Sequence, residues 1–398
     1  TLVCFSQDFP YDTKQYDFIN YDTNQLRFYG DSSDFLNLYQ SFDKVVFEGK
    51  NQINIIQVGG SHIQADIWSG RMRSRLQNIV PGLEAGRGFI FPFKIARTNN
   101  PYNYYLKWTG QWEKCRNVEK KPCKLGLAGM SVSTNSSISS IIATTRGKYH
   151  PKYEFNRIKV FHELNSNYCL ELLDESVIRQ IRVDTLMGYT EFELNQYIDT
   201  LRLQIRKEDT LNLPFTLYGL LLETDDPGFY YHGIGVNGAS TPSYLKCQLF
   251  EQQMSVIQPD LVVFSIGIND AYHPNFDTDK YKRNYDSLIS QVKKANPNAA
   301  ILLTTNNDSY YKRKYPNKNA FKVNEAMEFL SEKYGCAVWD MFNIMGGLNS
   351  VVKWQKQGLM KSDKIHFTND GYLLIGDLMF NAIFKSYENH IVKNSNPY

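Results

Sequence analysis

The sequence predicts an α/β protein in which a parallel, three-layer sheet domain is laid down in two pieces around an inserted all-β sandwich. Three observations carry that reading. Short apolar runs alternate with helix-length amphipathic segments between Asp34 and Val80, and do so again after Pro227. Between these pieces, from about Asn100 to Asp226, period-two segments follow one another with Ser, Asn, Gly and Asp in the gaps, and no helix of convincing length interrupts them. Polar motifs, most of them carrying glycine, fall where the α/β reading places the ends of strands, the edge at which open parallel sheets bind ligands.

Composition bounds the function. A chain of 398 residues is long enough for two domains. A net charge of +3, with no block of Lys and Arg long enough to form a basic arm, argues against nucleic acid as a partner. No apolar run approaches the roughly 18–20 residues needed to span a bilayer. Aromatic content of 14%, with 27 Tyr and 24 Phe, suits sugar platforms and equally fits codon bias. The segment Thr1–Phe5 (T-L-V-C-F) has the character of the tail of a signal-peptide apolar region, and Cys4 invites comparison with a lipid-anchor cysteine, although Val3 is large for such a site. Of the six cysteines only Cys115 and Cys123 are close, in C-R-N-V-E-K-K-P-C. A disulfide across that turn-rich loop fits an oxidising compartment, and unpaired thiols are the alternative.

The elements follow in order. Asp34–Phe47 has helical apolar spacing and is placed as a helix outside the main sheet; Ile53–Val58 is the first strand and Ile63–Val80 the helix after it. The insert offers strands at Tyr104–Trp108, Gly129–Ser133, Ile138–Thr144, Arg157–Glu163, Tyr168–Leu173, Ile178–Val183, Tyr197–Ile205 and Phe215–Glu223. The second α/β piece reads as strand Phe229–Ile234, helix Ser243–Val256, buried strand Leu261–Ile266, helix Tyr281–Ala295, strand Ala300–Thr305, helix Asn319–Tyr334, strand Ala337–Met341 and closing helix Gly371–Tyr387. Domain boundaries are therefore expected at 1–98 and 227–398 for the α/β unit and 99–226 for the insert.

Four motifs at the predicted strand ends share one chemistry. In N-I-I-Q-V-G-G-S, Ser61 sits on a strand–turn–helix junction, where free helix amides face it; that geometry suits a nucleophile or a phosphate cradle. No Lys follows a longer glycine loop, which removes the phosphate reading. For acyl transfer, Ser61 attacks a carbonyl, His366 serves as general base, and Asp363 orients the imidazole. Gly238, Asn269 and the Ser61 amide supply oxyanion donors. Asp270 is placed as a cap, while helix-start polarity and substrate contact explain His62 and Asp66 equally well. No metal ligand set emerges; His232 and His273 lie near the predicted active edge without forming one. Trp108, Trp112 and Tyr149 serve as sugar platform or as sandwich core.

Taken in order, Gly59-x-Ser61, Gly238, Gly267-x-Asn269 and Asp363-x-x-His366 resemble the four blocks of the SGNH (GDSL) hydrolase superfamily. The resemblance implies a flavodoxin-like three-layer α/β/α fold, with Ser61 as nucleophile, Gly238 and Asn269 as oxyanion donors, His366 as base, and no metal or organic cofactor. This chain departs from the pattern at Gly60, where the family carries an aspartate that supports the nucleophile turn. His62 and Gln64, together with a β insert between the first two blocks, resemble the branch that acts on O-acetylated peptidoglycan and carries a carbohydrate-binding-module-like insert. That implies a secreted or periplasmic esterase of the bacterial cell envelope acting on an O-acetylated glycan. The alternatives are an O-acetyltransferase using the same residues, and a glycan-binding protein with a decayed hydrolase domain.

Overall fold

The computed structural model describes residues 14–145, 152–164, 167–209 and 213–395. The readings of Thr1–Phe5, Cys4 and Tyr149 lie outside these residues. Six strands form the main sheet in the spatial order Leu26–Phe28, Ala337–Trp339, Ala300–Thr304, Leu261–Ser265, Gln52–Gly59, Gly228–Gly235. The last five are mutually parallel, while Leu26–Phe28 pairs antiparallel with Ala337–Trp339 and closes one edge. Counted along the chain, the parallel strands lie in the order 2-1-3-4-5, the flavodoxin-like arrangement. Its switch point falls between Gln52–Gly59 and Leu261–Ser265. The all-parallel expectation missed the antiparallel edge because a three-residue strand is too short to show a period.

The central strand explains the layers. Ile53 and Ile55 point to one face, where they meet Phe42, Met72 and Leu378 from three helices. Ile56 and Val58 point to the other, in one core with Phe250, Leu288 and Val323. Helices cover both faces because both faces of a parallel strand are apolar. The helix Ser33–Val46 buries Phe35, Leu38, Tyr39, Phe42 and Val45, one stripe at helical spacing.

The insert is two antiparallel sheets with a shared core. One runs Ile178–Asp184, Tyr189–Ile198, Phe155–His162, Phe215–Glu223, Met130–Thr134, Glu113–Arg116, and the other Tyr105–Thr109, Ile138–Thr144, Thr200–Lys207, Tyr168–Leu172. Val160 and Leu220 from the first pack in the same cluster as Ile141 and Leu203 from the second. The single strand expected over Tyr197–Ile205 is instead the end of one strand and the start of another. The chain passes from one sheet to the other at Asp199, so period two continues across a corner that the pattern does not reveal. Gly88–Ile90, on the α/β side of the expected boundary at 99, hydrogen-bonds to Phe215–Glu223 in the larger sheet. Cys115 and Cys123 are joined by a disulfide, which closes the loop after Glu113–Arg116.

Two expected helices are each split. Ile63–Val80 becomes Ser61–Gln64 and Trp68–Gln77, and Ser243–Val256 becomes Thr241–Tyr244 and Phe250–Ile257. At the first break Asp66 has φ 53° and is 1% exposed. Its carboxylate accepts from Arg73 Nη1 and Nη2, both at 3.0 Å, from Arg87 Nη2 at 2.8 Å, and from Ser69 and Asn103. Arg73 Nε in turn donates to Tyr231 O at 2.9 Å. This buried cluster joins the turn that carries Ser61 to the strand Gly228–Gly235 and to the start of the insert. Asp66 is thus a structural anchor, not an exposed helix-start carboxylate.

Candidate active site

The strand Gln52–Gly59 ends at the switch point, and Gly60 turns the chain into the helix Ser61–Gln64. The Gly60 carbonyl accepts from Ile63 N and Gln64 N, both at 3.1 Å, which fixes Ser61 at the first helical position. Its own N–H is one of the helix-start amides that have no acceptor within the helix. Ser61 Oγ lies 2.8 Å from His366 Nε2, and His366 Nδ1 lies 2.9 Å from Asp363 Oδ2. Asp363 Oδ1 also accepts from Ile365 N and His366 N, both at 2.9 Å. The carboxylate therefore holds both the backbone and the ring of the histidine. Because an ionised carboxylate only accepts, the Nδ1 proton faces Asp363 and Nε2 is free to accept from Ser61. Burial alone would raise the Asp363 pKa; the His366 amide, its imidazole and the Ile365 amide outweigh that and hold it below the usual carboxylate range.

The other two blocks converge on the same turn. Asn269 Nδ2 donates to Ala239 O at 2.8 Å, which orients the amide beside the loop that carries Gly238. Gly238 has φ 82°, and a Cβ built there meets nothing within 4 Å. Glycine is needed for its conformation, and the space beside it stays open. Asp270 accepts from Thr241 N at 3.1 and 3.0 Å and from Thr241 Oγ1 at 2.6 Å, so it caps the short helix Thr241–Tyr244 and ties the Asn269 loop to the Gly238 loop. Sequence reasoning gave Gln64 no structural task. In the fold its Oε1 accepts from Asn237 N at 2.7 Å, while Nε2 donates to Thr98 and Asn99, so it pins the residue next to Gly238.

Gly60 was the point of departure from the family pattern. Its φ of −99° is ordinary, and a Cβ there would stand 3.4 Å from both Ala239 O and Asn269 Nδ2. A carboxylate at that position would reach the Asn269 amide. In this chain the Ala239 carbonyl holds that amide instead.

Two histidines are not where the sequence suggested. His232 lies in mid-strand, 0% exposed; its Nδ1 accepts from Phe89 N at 2.9 Å and its Nε2 faces Asn54 Oδ1 at 3.2 Å. It is core, not active edge. His62 lies behind the site, with Nδ1 2.8 Å from Tyr372 OH and its ring 5.4 Å from that of His366. Burial, followed by the nearby His366, pushes its pKa down to about 3. His62 is therefore expected to stay neutral between pH 5 and 8. Its ring carbon-bound proton shifts, followed by NMR, should be flat across that range; a titration midpoint inside it would contradict the placement. Trp112 packs against Phe215 with centroids 6.5 Å apart, whereas Trp108 is 40% exposed. Among the described residues no group of three or more His, Cys, Asp and Glu is arranged to hold a metal ion.

Comparison with known proteins places this geometry. Residues 217–374 match the model of the GDSL-like lipase/acylhydrolase family. That span includes Gly238, Asn269, Asp363 and His366 and leaves out Ser61, which the insert separates from it in sequence. No curated protein sequence matches the chain. The structure of a peptidoglycan O-acetylesterase superposes with a TM-score of 0.71 at 20% identity, over 92% of this chain and 99% of that one. At that identity the likeness carries the fold. Two others superpose over a smaller part: an acetyl xylan esterase (TM-score 0.31, 22% identity, 39% of this chain and 81% of that one) and a lipase/acylhydrolase from Enterococcus faecalis (0.33, 20%, 40% and 77%). Residues 217–374 therefore form a GDSL-like lipase/acylhydrolase domain, the domain of a hydrolase acting on ester bonds, within a fold like that of the O-acetylesterase.

Proposed function

We propose that the chain is a serine esterase that removes O-acetyl groups from a glycan, peptidoglycan first, through an acetyl-enzyme on Ser61. The observation that carries this reading is the unbroken chain of hydrogen bonds from Ser61 Oγ through His366 to Asp363 at the switch point of the sheet. As Ser61 Oγ bonds to the acetyl carbon, its proton passes to His366 Nε2. The carbonyl oxygen becomes an oxyanion facing the Ser61 and Gly238 amides and the Asn269 Nδ2. Collapse breaks the ester C–O bond, and His366 returns the proton to the departing sugar hydroxyl. Water then attacks the acetyl-serine while His366 takes its proton; collapse breaks the bond from Ser61 Oγ to the acetyl carbon, His366 returns the proton to Ser61 Oγ, and acetate leaves. No metal or organic cofactor enters these steps.

Supporting observations bear on substrate and location. The similar fold of a peptidoglycan O-acetylesterase extends through the insert as well as the hydrolase pieces. We assign 1–98 and 227–398 to the hydrolase domain and 99–226 to a glycan-binding insert, with Gly88–Ile90 lending one strand to it. The disulfide between Cys115 and Cys123 fits secretion or the periplasm.

The test is acetate release from O-acetylated peptidoglycan by the purified chain. Acetate should appear with enzyme-dependent, saturable kinetics; none from this polymer or from other acetylated glycans would sink the reading. Asp363→Asn should lower kcat by about 10²–10⁴-fold with KM little changed, because the amide favours the wrong imidazole tautomer. A kcat within threefold of the parent would remove Asp363 from the proposed triad.

A further inference from the structure

After the strand Ala300–Thr304 the chain forms a small hairpin that the sequence pattern did not predict, Tyr310–Tyr311 paired with Tyr315–Pro316. It sits at the catalytic edge, between two of the site's loops. Tyr310 N donates to Lys364 O at 3.2 Å, two residues before His366. Lys312 N donates to Tyr272 OH at 3.0 Å, and Asn317 Nδ2 donates to Ala271 O at 3.0 Å, in the segment that follows Asn269. The hairpin therefore bridges the loop that carries His366 and the segment that follows Asn269.

Its tip is Lys312-Arg313-Lys314, all exposed, and the loop beside it adds Lys361 and Lys364. Among the described residues none of these five cations forms an ion pair. Lys364 Nζ stands 4.2 Å over the Tyr310 ring and Lys312 Nζ 5.3 Å over the Tyr311 ring, so aromatic faces hold the charges where carboxylates do not neutralise them. The nearest acids in sequence are Asp308, which is buried and accepts from Val351 N at 3.0 Å, and Asp363, which is committed to His366. The chain as a whole carries only +3, so five cations without an ion pair on two adjoining loops are a local concentration of charge.

The turn itself points the same way. Lys314 N closes it onto Tyr311 O at 3.1 Å, and both central residues have positive φ, 51° at Lys312 and 62° at Arg313. A turn of that kind favours Asn-Gly, and two consecutive side-chain-bearing residues in the left-handed region are strained. The chain places cations where its backbone would prefer small residues.

We infer that this basic hairpin, with Lys361 and Lys364, is a subsite for carboxylate groups on the glycan, so that the enzyme prefers an acidic acetylated glycan to a neutral one. This deepens the esterase reading and rests on it. The hairpin is tied to the segments that carry His366 and Asn269, so a sugar presenting its acetyl ester to Ser61 would bring a neighbouring substituent toward these charges. Such a charged rim would raise both encounter rate and affinity for an anionic chain.

The test measures binding without turnover. Ser61→Ala protein is titrated calorimetrically with a carboxylate-bearing glycan oligosaccharide and with the same oligosaccharide capped as its amide. The acidic ligand should bind about tenfold tighter, and the advantage should shrink as salt rises from about 0.05 to 0.5 M. Adding Lys312→Asn, Arg313→Gly and Lys314→Gln should abolish the preference. The Asn-Gly pair suits the turn, so the melting temperature should hold or rise. Adding Lys312→Glu and Lys314→Glu instead should invert the preference. Equal affinity for the two ligands, or a preference that survives in both variants, overturns the subsite. Acetate release by the unaltered enzyme is scored separately, so failure of the esterase reading is told apart from failure of the subsite.

Discussion

Replacing Ser61 with alanine is expected to lower kcat for acetate release by about 10⁴–10⁶-fold while leaving the melting temperature within a degree or two. The magnitude follows from what the side chain does. In serine hydrolases, loss of the nucleophile removes the acyl-enzyme route entirely, and only binding and oxyanion donors remain. The donors proposed here do not depend on the Ser61 hydroxyl: Gly238 is pinned through Gln64 and Asn237, and Asn269 through Ala239. Stability should hold because, among the described residues, the hydroxyl bonds only to His366, at the end of the sheet. His366→Ala should cost about as much, and the double variant little more than either single one, since the pair acts as a unit. Fluorophosphonate should label the parent at Ser61 and leave the variant unmarked. Residual activity above a few per cent of the parent would mean that another group performs the attack.

Asp66→Asn is expected to destabilise the fold by about 3–5 kcal/mol, a large part of the roughly 5–15 kcal/mol that holds a domain together. The side chains of Arg73 and Arg87 are 1% and 3% exposed, and Asp66 carries the negative charge between them. Asparagine keeps the shape and leaves two guanidiniums buried without a counter-charge. Urea unfolding checks this, and a midpoint shift worth less than about 1 kcal/mol would contradict it. The pH dependence has a definite sign. Burial alone would raise the Asp66 pKa, but the two guanidiniums overcome it and hold the carboxyl far below the usual carboxylate range. The stabilisation is therefore complete above about pH 4 and is lost as pH falls below it. The parent should lose stability on acidification through that range, and Asp66→Asn should lose less.

Much of the site was legible because its blocks are local. Gly59-x-Ser61, Gly267-x-Asn269 and Asp363-x-x-His366 each place a reactive side chain at the end of a strand or the start of a helix, and that geometry depends on near neighbours in the chain. The strands Ile138–Thr144 and Phe215–Glu223 and the helix Asn319–Tyr334 likewise fall at the expected bounds, since each is long enough to display its period. The antiparallel edge strand Leu26–Phe28 and the two-residue strands of the basic hairpin are too short to display one. The corner at Asp199 keeps the alternation of its flanks and so conceals itself.

By itself the sequence determined the longer elements, the inserted arrangement of the β strands and the four chemical motifs, because each is written in spacing and turn chemistry over a few residues. Only the tertiary structure decided which strands are neighbours, that Ser61 Oγ and His366 Nε2 meet across 305 residues of chain, and that Asp66 and His232 are core. It also decided that the hairpin of Lys312, Arg313 and Lys314 is tied to the segments that follow Asn269 and precede His366. These are contacts between distant segments, set by sheet order and by the burial of charge, and no local pattern encodes them.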